Sequence, residues 1–250
     1  MKAILALPSR ISVAATKYRI DPTGAWLIFL APFLIILMYT LLLGADTTKN
    51  LAKMMLRENN AVELLTFGTL LVGGILGLAF VAKMRKANVR VMTRFFYVLF
   101  SLALIVIAME EISWGQWFFG FNTPAFISEK NAQQELTLHN LSIWHDYIEA
   151  LPLIYAVAGM AGIYLSRWSA FTDISPSVLL MSWFTIIATF SAIDLMHEFV
   201  VFSNLFFHYI NHLDELIELL VGISGLLYVY LGGRKLILAG LATPAAANAP

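Results

Sequence analysis

Long apolar segments alternate with short polar ones along most of this chain. A run of about 20 apolar residues is long enough to cross the hydrocarbon core of a bilayer as a helix. A helix also satisfies its own backbone hydrogen bonds, which the bilayer interior requires. The pattern therefore predicts an all-α fold, a polytopic membrane helical bundle of about six transmembrane helices. The predicted spans are 26–43, 62–82, 95–112, 149–166, 177–198 and 214–231.

The composition supports the same class of protein. Hydrophobic residues make up 60% of the chain and charged residues 13%, whereas about a quarter of a soluble domain is charged. The 250 residues contain no cysteine, which excludes disulfides and thiolate metal sites within them. We expect membrane lipids as partners and no nucleic acid.

The basic residues of the predicted connections fall mostly on one side of the membrane. With the N-terminus inside, the inner side holds 12 of the 16 Lys and Arg residues. Because such residues are enriched in cytoplasmic loops, both termini should lie in the cytoplasm. Together with the absence of cysteine, this orientation fits the bacterial cytoplasmic (inner) membrane, which is the predicted location. The inner basic residues are Lys2, Arg10, Lys17, Arg19, Lys83, Arg85, Lys86, Arg90, Arg94, Arg167, Arg234 and Lys235.

We expect residues 1–240 to form a single transmembrane helical domain. Residues 1–20 mix basic and apolar groups, which fits either an amphipathic segment on the inner surface or a disordered tail. Residues 241–250 are uncharged and rich in Ala and Pro, so we expect a disordered tail. In the second span, Gly73 and Gly77 form a small-xxx-small pair, which predicts close helix packing.

One long connection, 113–148, is rich in aromatic residues and follows the third span on the predicted outer side. Loops of this length are usually functional or disordered, and this one is too apolar for disorder. Trp and Tyr favour the membrane interface, so the loop could simply anchor the protein there. Alternatively, it could form a lid over a site between the helices, broken into short helical pieces at Gly120 and Pro124.

The acidic residues are biased in the opposite direction from the basic ones, since 14 of the 16 lie at or beyond the outer helix ends. Ionisable residues at membrane depth are costly and usually mark a functional site. We therefore name Glu63, Glu111 and Asp194 as candidate catalytic residues. Adjacent helical residues point about 100° apart, so only one of Glu110 and Glu111 should face the bundle. The sequence does not choose between them.

The five histidines fall on the same predicted outer side as these acids. His208 and His212 are four residues apart, a spacing at which two imidazoles on one helix can hold one metal ion. A third ligand could be His197, His139 or His145. The predicted cofactor is a divalent metal, zinc or iron. The alternative is that these histidines are solvated at a helix start.

Two segments resemble the recurrent stretches of a bacterial family of polytopic membrane proteins. The first runs from Glu110 to Gln116 as Glu-Glu-Ile-Ser-Trp-Gly-Gln and continues through Gly120–Pro124 to Leu138-His139-Asn140. The second is 58–63, just before the second span. This resemblance implies a multi-pass membrane protein and names no reaction.

A more distant similarity is to the membrane hydrolases that include alkaline ceramidases and adiponectin-type receptors. It rests on Glu63, on Asp194 and on the His-xxx-His of His208 and His212. The similarity implies a metal-dependent hydrolase. The Ser-xxx-His of that superfamily has no counterpart here, because Ile105 stands four residues after Ser101.

These patterns predict a metal-dependent hydrolase or transferase that acts on a lipid or lipid-linked substrate, with its site facing the periplasm or exterior. His208, His212, His197 and His139 are the predicted metal ligands. One alternative is a non-catalytic subunit or assembly factor that binds a protein partner through the aromatic loop. A second alternative is a proton or cation pathway, which would use the same acids as relay groups.

Overall fold

A computed structural model describes residues 7–57, 60–129, 131, 136–137, 150–196, 209 and 213–242 of the chain. These residues form helices and connecting turns, and no strand occurs among them. The helices are α1 (Leu7–Tyr18), α2 (Pro22–Gly44), α3 (Lys49–Met55), α4 (Ala61–Lys86), α5 (Val91–Glu111), α6 (Gln116–Phe119), α7 (Ala125–Ser128), α8 (Leu151–Leu165), α9 (Met181–Met196) and α10 (Asp214–Ala242).

Five helical segments in this part of the chain are long and apolar enough to cross a membrane. They are α2, α4, α5, the segment Val178–Met196 that contains α9, and residues Asp214–Ala239 of α10. The structure thus has the character of a multi-pass helical bundle. The remaining predicted span, 149–166, corresponds in its described part to α8, a shorter apolar helix of 15 residues. The count of six spans and their orientation stay predictions.

Helix α4 packs side by side with α5 and with α10, and these are the most extensive helix contacts in the bundle. Glycines allow the close approach, as the small-xxx-small pair predicted. A Cβ atom at Gly73 would lie 3.2 Å from the Cα of Leu226 on α10, and a Cβ at Gly77 would overlap the Ser101 side chain on α5. Helix packing in lipid depends on such small residues, because they bring backbones together.

Helix α9 is joined to α2 at a proline. Pro32 lies inside α2 and has no N–H to donate to the carbonyl of Ile28. The Trp183 Nε1 of α9 donates to that carbonyl at 2.8 Å, and the Ser182 Oγ donates to the carbonyl of Phe29 at 2.6 Å. Trp183 therefore supplies the Ile28 carbonyl with the hydrogen bond that the proline removes.

The bundle has two chemically different ends. At one, which we call the basic end, the turn 166–177 meets α10: the Tyr228 hydroxyl donates to the Ile174 carbonyl at 2.7 Å, and Lys235 Nζ donates to the Thr172 carbonyl at 2.6 Å. Helix α1 also lies at this end. Four of its residues are buried against the bundle at helical spacing, whereas its Ser, Thr, Arg and Lys residues and Val13 are exposed: the buried residues are Ile11, Ala14, Ala15 and Tyr18.

The opposite end, which we call the acidic end, is underlain by a second, smaller apolar cluster. Tyr39 of α2, Val62 of α4 and Leu216 of α10 belong to it. Tyr209 packs against the same cluster, and its hydroxyl shares a hydrogen bond of 2.5 Å with Thr40 Oγ1. The cluster therefore fixes the start of α10 relative to the end of α2.

Of the predicted tail 241–250, the last eight residues lie outside the described part of the chain.

Replacing Gly77 by Ala should destabilise the protein by about 1–3 kcal/mol, because overpacking between α4 and α5 forces the helices apart. Gly68→Ala on the same helix is the matched control, since a Cβ there would meet nothing within 4 Å. Denaturation of the two variants in detergent checks this. Equal stabilities would show that the glycine contact between α4 and α5 is wrong.

Replacing Trp183 by Phe should destabilise the protein by about 1–3 kcal/mol, because the Ile28 carbonyl loses its partner. In a Pro32→Ala background the new backbone N–H can bond to the Ile28 carbonyl. Replacing Trp183 by Phe should then destabilise the protein by less. A double-mutant cycle measured by denaturation isolates this coupling from the lost ring volume. Additive effects of the two substitutions would contradict the assignment, and Trp168→Phe at an exposed tryptophan serves as the control.

Candidate functional site

Five carboxylates from three helices gather at the acidic end. Glu111 ends α5, Glu63 lies in the first turn of α4, and Glu215 in the first turn of α10. Because these helices pack side by side, their ends lie together. The carboxylate of Glu111 is close enough to those of Glu63, Glu110, Glu215 and Glu218 for each to repel it electrostatically. The structure therefore brings together two of the predicted catalytic residues, Glu63 and Glu111.

Glu110 also contacts the aromatic loop. The Trp114 Nε1 donates to Glu110 Oε1, so the Glu110 carboxylate is held by the start of the loop. Glu111 lies close enough to carboxylates of α4 and α10 for electrostatic repulsion. Both glutamates are partly buried, whereas Glu218 is exposed. The cluster thus reaches from the helix interface to the surface of the acidic end.

Carboxylates grouped in a partly apolar setting repel one another and tend to bind a cation. Each charge raises the electrostatic energy of the others, and the effect grows as water is excluded. A cation bound among them would relieve the repulsion. Within the residues that the structure describes, however, no group of three or more His, Asp and Glu side chains is arranged to hold a metal ion.

The predicted metal ligands His139, His197, His208 and His212 lie outside the described residues, as does His145. Among the described residues, Tyr209 and Leu213 both belong to the apolar contacts beneath the acidic end. Asp194, the third predicted catalytic residue, lies in the last turn of α9. Four residues before it, Phe190 packs against the same apolar cluster.

The described part of the aromatic loop is folded, with short helical pieces as the sequence predicted. After Glu111 the chain turns sharply, and Ser113 and Trp114 adopt φ angles of 47° and 54°. Such left-handed conformations cost a non-glycine residue roughly 1 kcal/mol or more. Gly120, at φ 63°, ends α6, and Pro124 immediately precedes α7. The turn sends the loop back across the end of α5.

Gln116 joins three parts of this loop. Its Nε2 donates to Thr123 Oγ1 at 2.9 Å, and its Oε1 accepts from the backbone N–H of Leu136 at 2.9 Å. Asn131 Nδ2 donates to the carbonyl of Thr137 at 2.9 Å. The structuring role of Gln116 was not predicted, because nothing in its local sequence points to a partner 20 residues away. We call the described loop residues 113–129, 131 and 136–137 the aromatic cap.

The aromatic cap exposes large apolar side chains. Phe119 is 81% exposed and Phe118 53% exposed, whereas buried positions are taken by small or polar residues such as Ser113 and Asn131. An exposed apolar surface of this kind suits a membrane interface or a partner protein. The cap therefore combines a fixed hydrogen-bonded frame with an apolar outer face.

Comparisons with protein-family models, with curated proteins and with solved structures found no match to this chain. The class of protein therefore rests on the structure, which is a multi-pass helical bundle with an acidic end. The family resemblance of the segments 58–63 and 110–140 remains an expectation from the sequence.

Replacing Gln116 by Ala should loosen the aromatic cap, since both its amide bonds to Thr123 and Leu136 are lost. Hydrogen exchange of peptides covering 113–137 should speed up by about tenfold, as expected when roughly 1.4 kcal/mol of local stability is removed. Ser128→Ala is the control, because its hydroxyl bonds to the carbonyl of Ala125 within α7. Unchanged exchange in the Gln116 variant would rule out its joining role.

Proposed function

We propose that this chain is an integral membrane enzyme, a metal-dependent hydrolase or transferase acting on a lipid or lipid-linked substrate at the acidic end. The observation that carries the proposal is the convergence of Glu63, Glu110, Glu111, Glu215 and Glu218 from three helices beside the aromatic cap. Clustered carboxylates oppose folding through their repulsion, so a chemical use for them explains why they are kept together.

The positions of the acids and of the cap suggest how such an enzyme would work. Glu111, with Glu63 beside it, is the general base of the proposal, and its ionised form accepts a proton from the attacking water. A cation bound within the cluster would favour that ionised form. Asp194 at the end of α9 is a further candidate for that role. The exposed aromatic residues of the cap would admit an acyl chain from the membrane and limit the entry of bulk water.

The metal in this proposal depends on the histidines, because the described residues alone offer only carboxylates. His208 and His212 are neighbours in the chain of Tyr209 and Leu213, both fixed at the acidic end. We propose that they hold a divalent metal, zinc or iron, with His197 or His139. A metal in such a site supplies a more acidic bound water.

The proposed orientation places the acidic end outside a bacterial cytoplasmic membrane. It is supported by the basic residues, which the positive-inside rule assigns to the cytoplasm. The basic end of the structure contains Arg10, Lys17, Arg167 and Lys235.

A second candidate function is that of a non-catalytic subunit that binds a partner protein through the aromatic cap. The observation in its favour is the exposure of the large apolar side chains of Phe118 and Phe119. This function predicts a stable partner that copurifies in mild detergent and is lost in a Phe118→Ser, Phe119→Ser variant.

Elemental analysis of the purified protein tests the metal site. The wild type should carry zinc or iron at close to one ion per chain, and His208→Ala, His212→Ala should lose it. Asn204→Ala, Asn211→Ala changes two polar residues of the same segment and should keep the ion. A folded wild type without metal would refute the enzyme proposal in this form.

Replacing Glu111 by Gln should leave the metal content unchanged and lower lipid turnover by about 10²- to 10⁴-fold, the usual contribution of a general base. Turnover is measured by mass spectrometry of a total lipid extract incubated with the protein in vesicles. Glu129→Gln, on the loop after α7, is the control. Equal turnover by the Glu111 and Glu129 variants would exclude Glu111 as the base.

A further inference from the structure

A cavity of about 490 Å³ opens at the basic end, away from the carboxylate cluster. Its walls are α1, the last turn of α8, the turn 166–177 and the first residues that lead into α9. The cavity is lined by three cationic side chains and five serine or threonine side chains, and no described residue lining it is acidic. These polar residues are Arg10, Lys17, Arg167, Ser9, Ser166, Thr172, Ser175 and Ser177.

The cations face the cavity because of how α1 is packed. Its apolar stripe is buried against the bundle, which leaves Arg10 and Lys17 exposed on the cavity side. They are seven residues apart, about two helical turns, so they lie along one side of α1. From the opposite wall, Arg167 is positioned over the ring of Tyr164, with the guanidinium carbon 4.6 Å from the ring centroid. Such stacking orients the guanidinium without using its N–H donors.

The residues around the cavity carry more positive than negative charge. Lys235 lies behind Thr172, where its Nζ donates to the Thr172 carbonyl, and it is close enough to Lys17 for mutual repulsion. Asp173 is the neighbouring acid on the turn, and its Oδ2 accepts a hydrogen bond from Thr93 Oγ1 of α5 at 3.4 Å. Four cations against one carboxylate leave an excess of positive charge at this site.

The same cavity has an apolar wall. Val13 of α1, Ile163 of α8, Val178 and Met181 line it beside the cations. Val13 is 67% exposed and Tyr164 58% exposed, so this wall continues onto the apolar outer surface of the bundle. A site for a soluble anion needs no such wall. A phospholipid needs both parts, since its phosphate and its acyl chains are joined.

We propose that this cavity binds the headgroup of an anionic phospholipid of the leaflet at the basic end. Arg10, Lys17 and Arg167 contact the phosphate, and the acyl chains lie over Val13 and Ile163. Basic pockets between membrane helices recognise anionic lipids in this way. The site is separate from the acidic end, so it stands whether or not the protein is an enzyme.

Native mass spectrometry of the full chain, titrated with phosphatidylglycerol or phosphatidylcholine in detergent, tests the proposal. The wild type should bind phosphatidylglycerol at least tenfold more tightly than phosphatidylcholine. Arg10→Gln, Lys17→Gln, Arg167→Gln should weaken phosphatidylglycerol binding by about fivefold for each charge removed. The matched control is Arg85→Gln, Lys86→Gln, Arg90→Gln, which removes equal charge from exposed positions outside the cavity and should bind as the wild type does.

Three results would overturn the proposal. Equal weakening in both triple variants would show a diffuse attraction between the lipid and the basic end. Displacement of the lipid by a few millimolar inorganic phosphate would show a site for the free anion. No preference for phosphatidylglycerol in a folded wild type would exclude the site altogether. If the triple variant does not fold, the single variant Arg167→Gln at an exposed position replaces it. Its affinity for phosphatidylglycerol should fall by about fivefold.

Discussion

The close approach of α4 to α5 and α10 determines most of what is chemically distinctive in this protein. Glycines on α4 let the backbones meet, and glycines on α10 do the same, since a Cβ at Gly225 would lie 3.0 Å from Leu104 of α5. With the helices in this contact, Glu63, Glu111 and Glu215 lie at one end of the bundle. The apolar packing below must offset the repulsion among these carboxylates, because each charge disfavours the others.

The bilayer sets a second constraint, which connects the remaining helices. A backbone carbonyl without a partner is costly in lipid, and Pro32 creates one in α2. The indole N–H of Trp183 donates a hydrogen bond to this carbonyl and thereby fixes α9 beside α2. At the other end of α9 stands Asp194, and the Thr40–Tyr209 hydrogen bond holds the chain before α10 near the end of α2. The helices are thus positioned by polar contacts as well as by apolar packing.

Hydropathy predicted the apolar helices well, because the length and apolar character of a membrane helix are local properties. The Gly73 and Gly77 contact and the breaks at Gly120 and Pro124 were predictable for the same reason. The orientation of Glu111 and the role of Gln116 were not, since each depends on partners distant in sequence. Helix α10 also continues past the predicted end at residue 231, to Ala242. Its last turns, with Lys235, form part of the basic end rather than a connection.

Cross-linking measures whether these three helices gather their carboxylates at one end. The sequence lacks cysteine, so Glu111→Cys, Glu218→Cys can be treated with a short thiol-reactive cross-linker in membranes. We expect efficient linkage of this pair and none for Glu111→Cys, Arg85→Cys, since Arg85 lies at the far end of α4. Equal linkage of both pairs, or linkage of neither, would show that the carboxylates of α5 and α10 do not lie together.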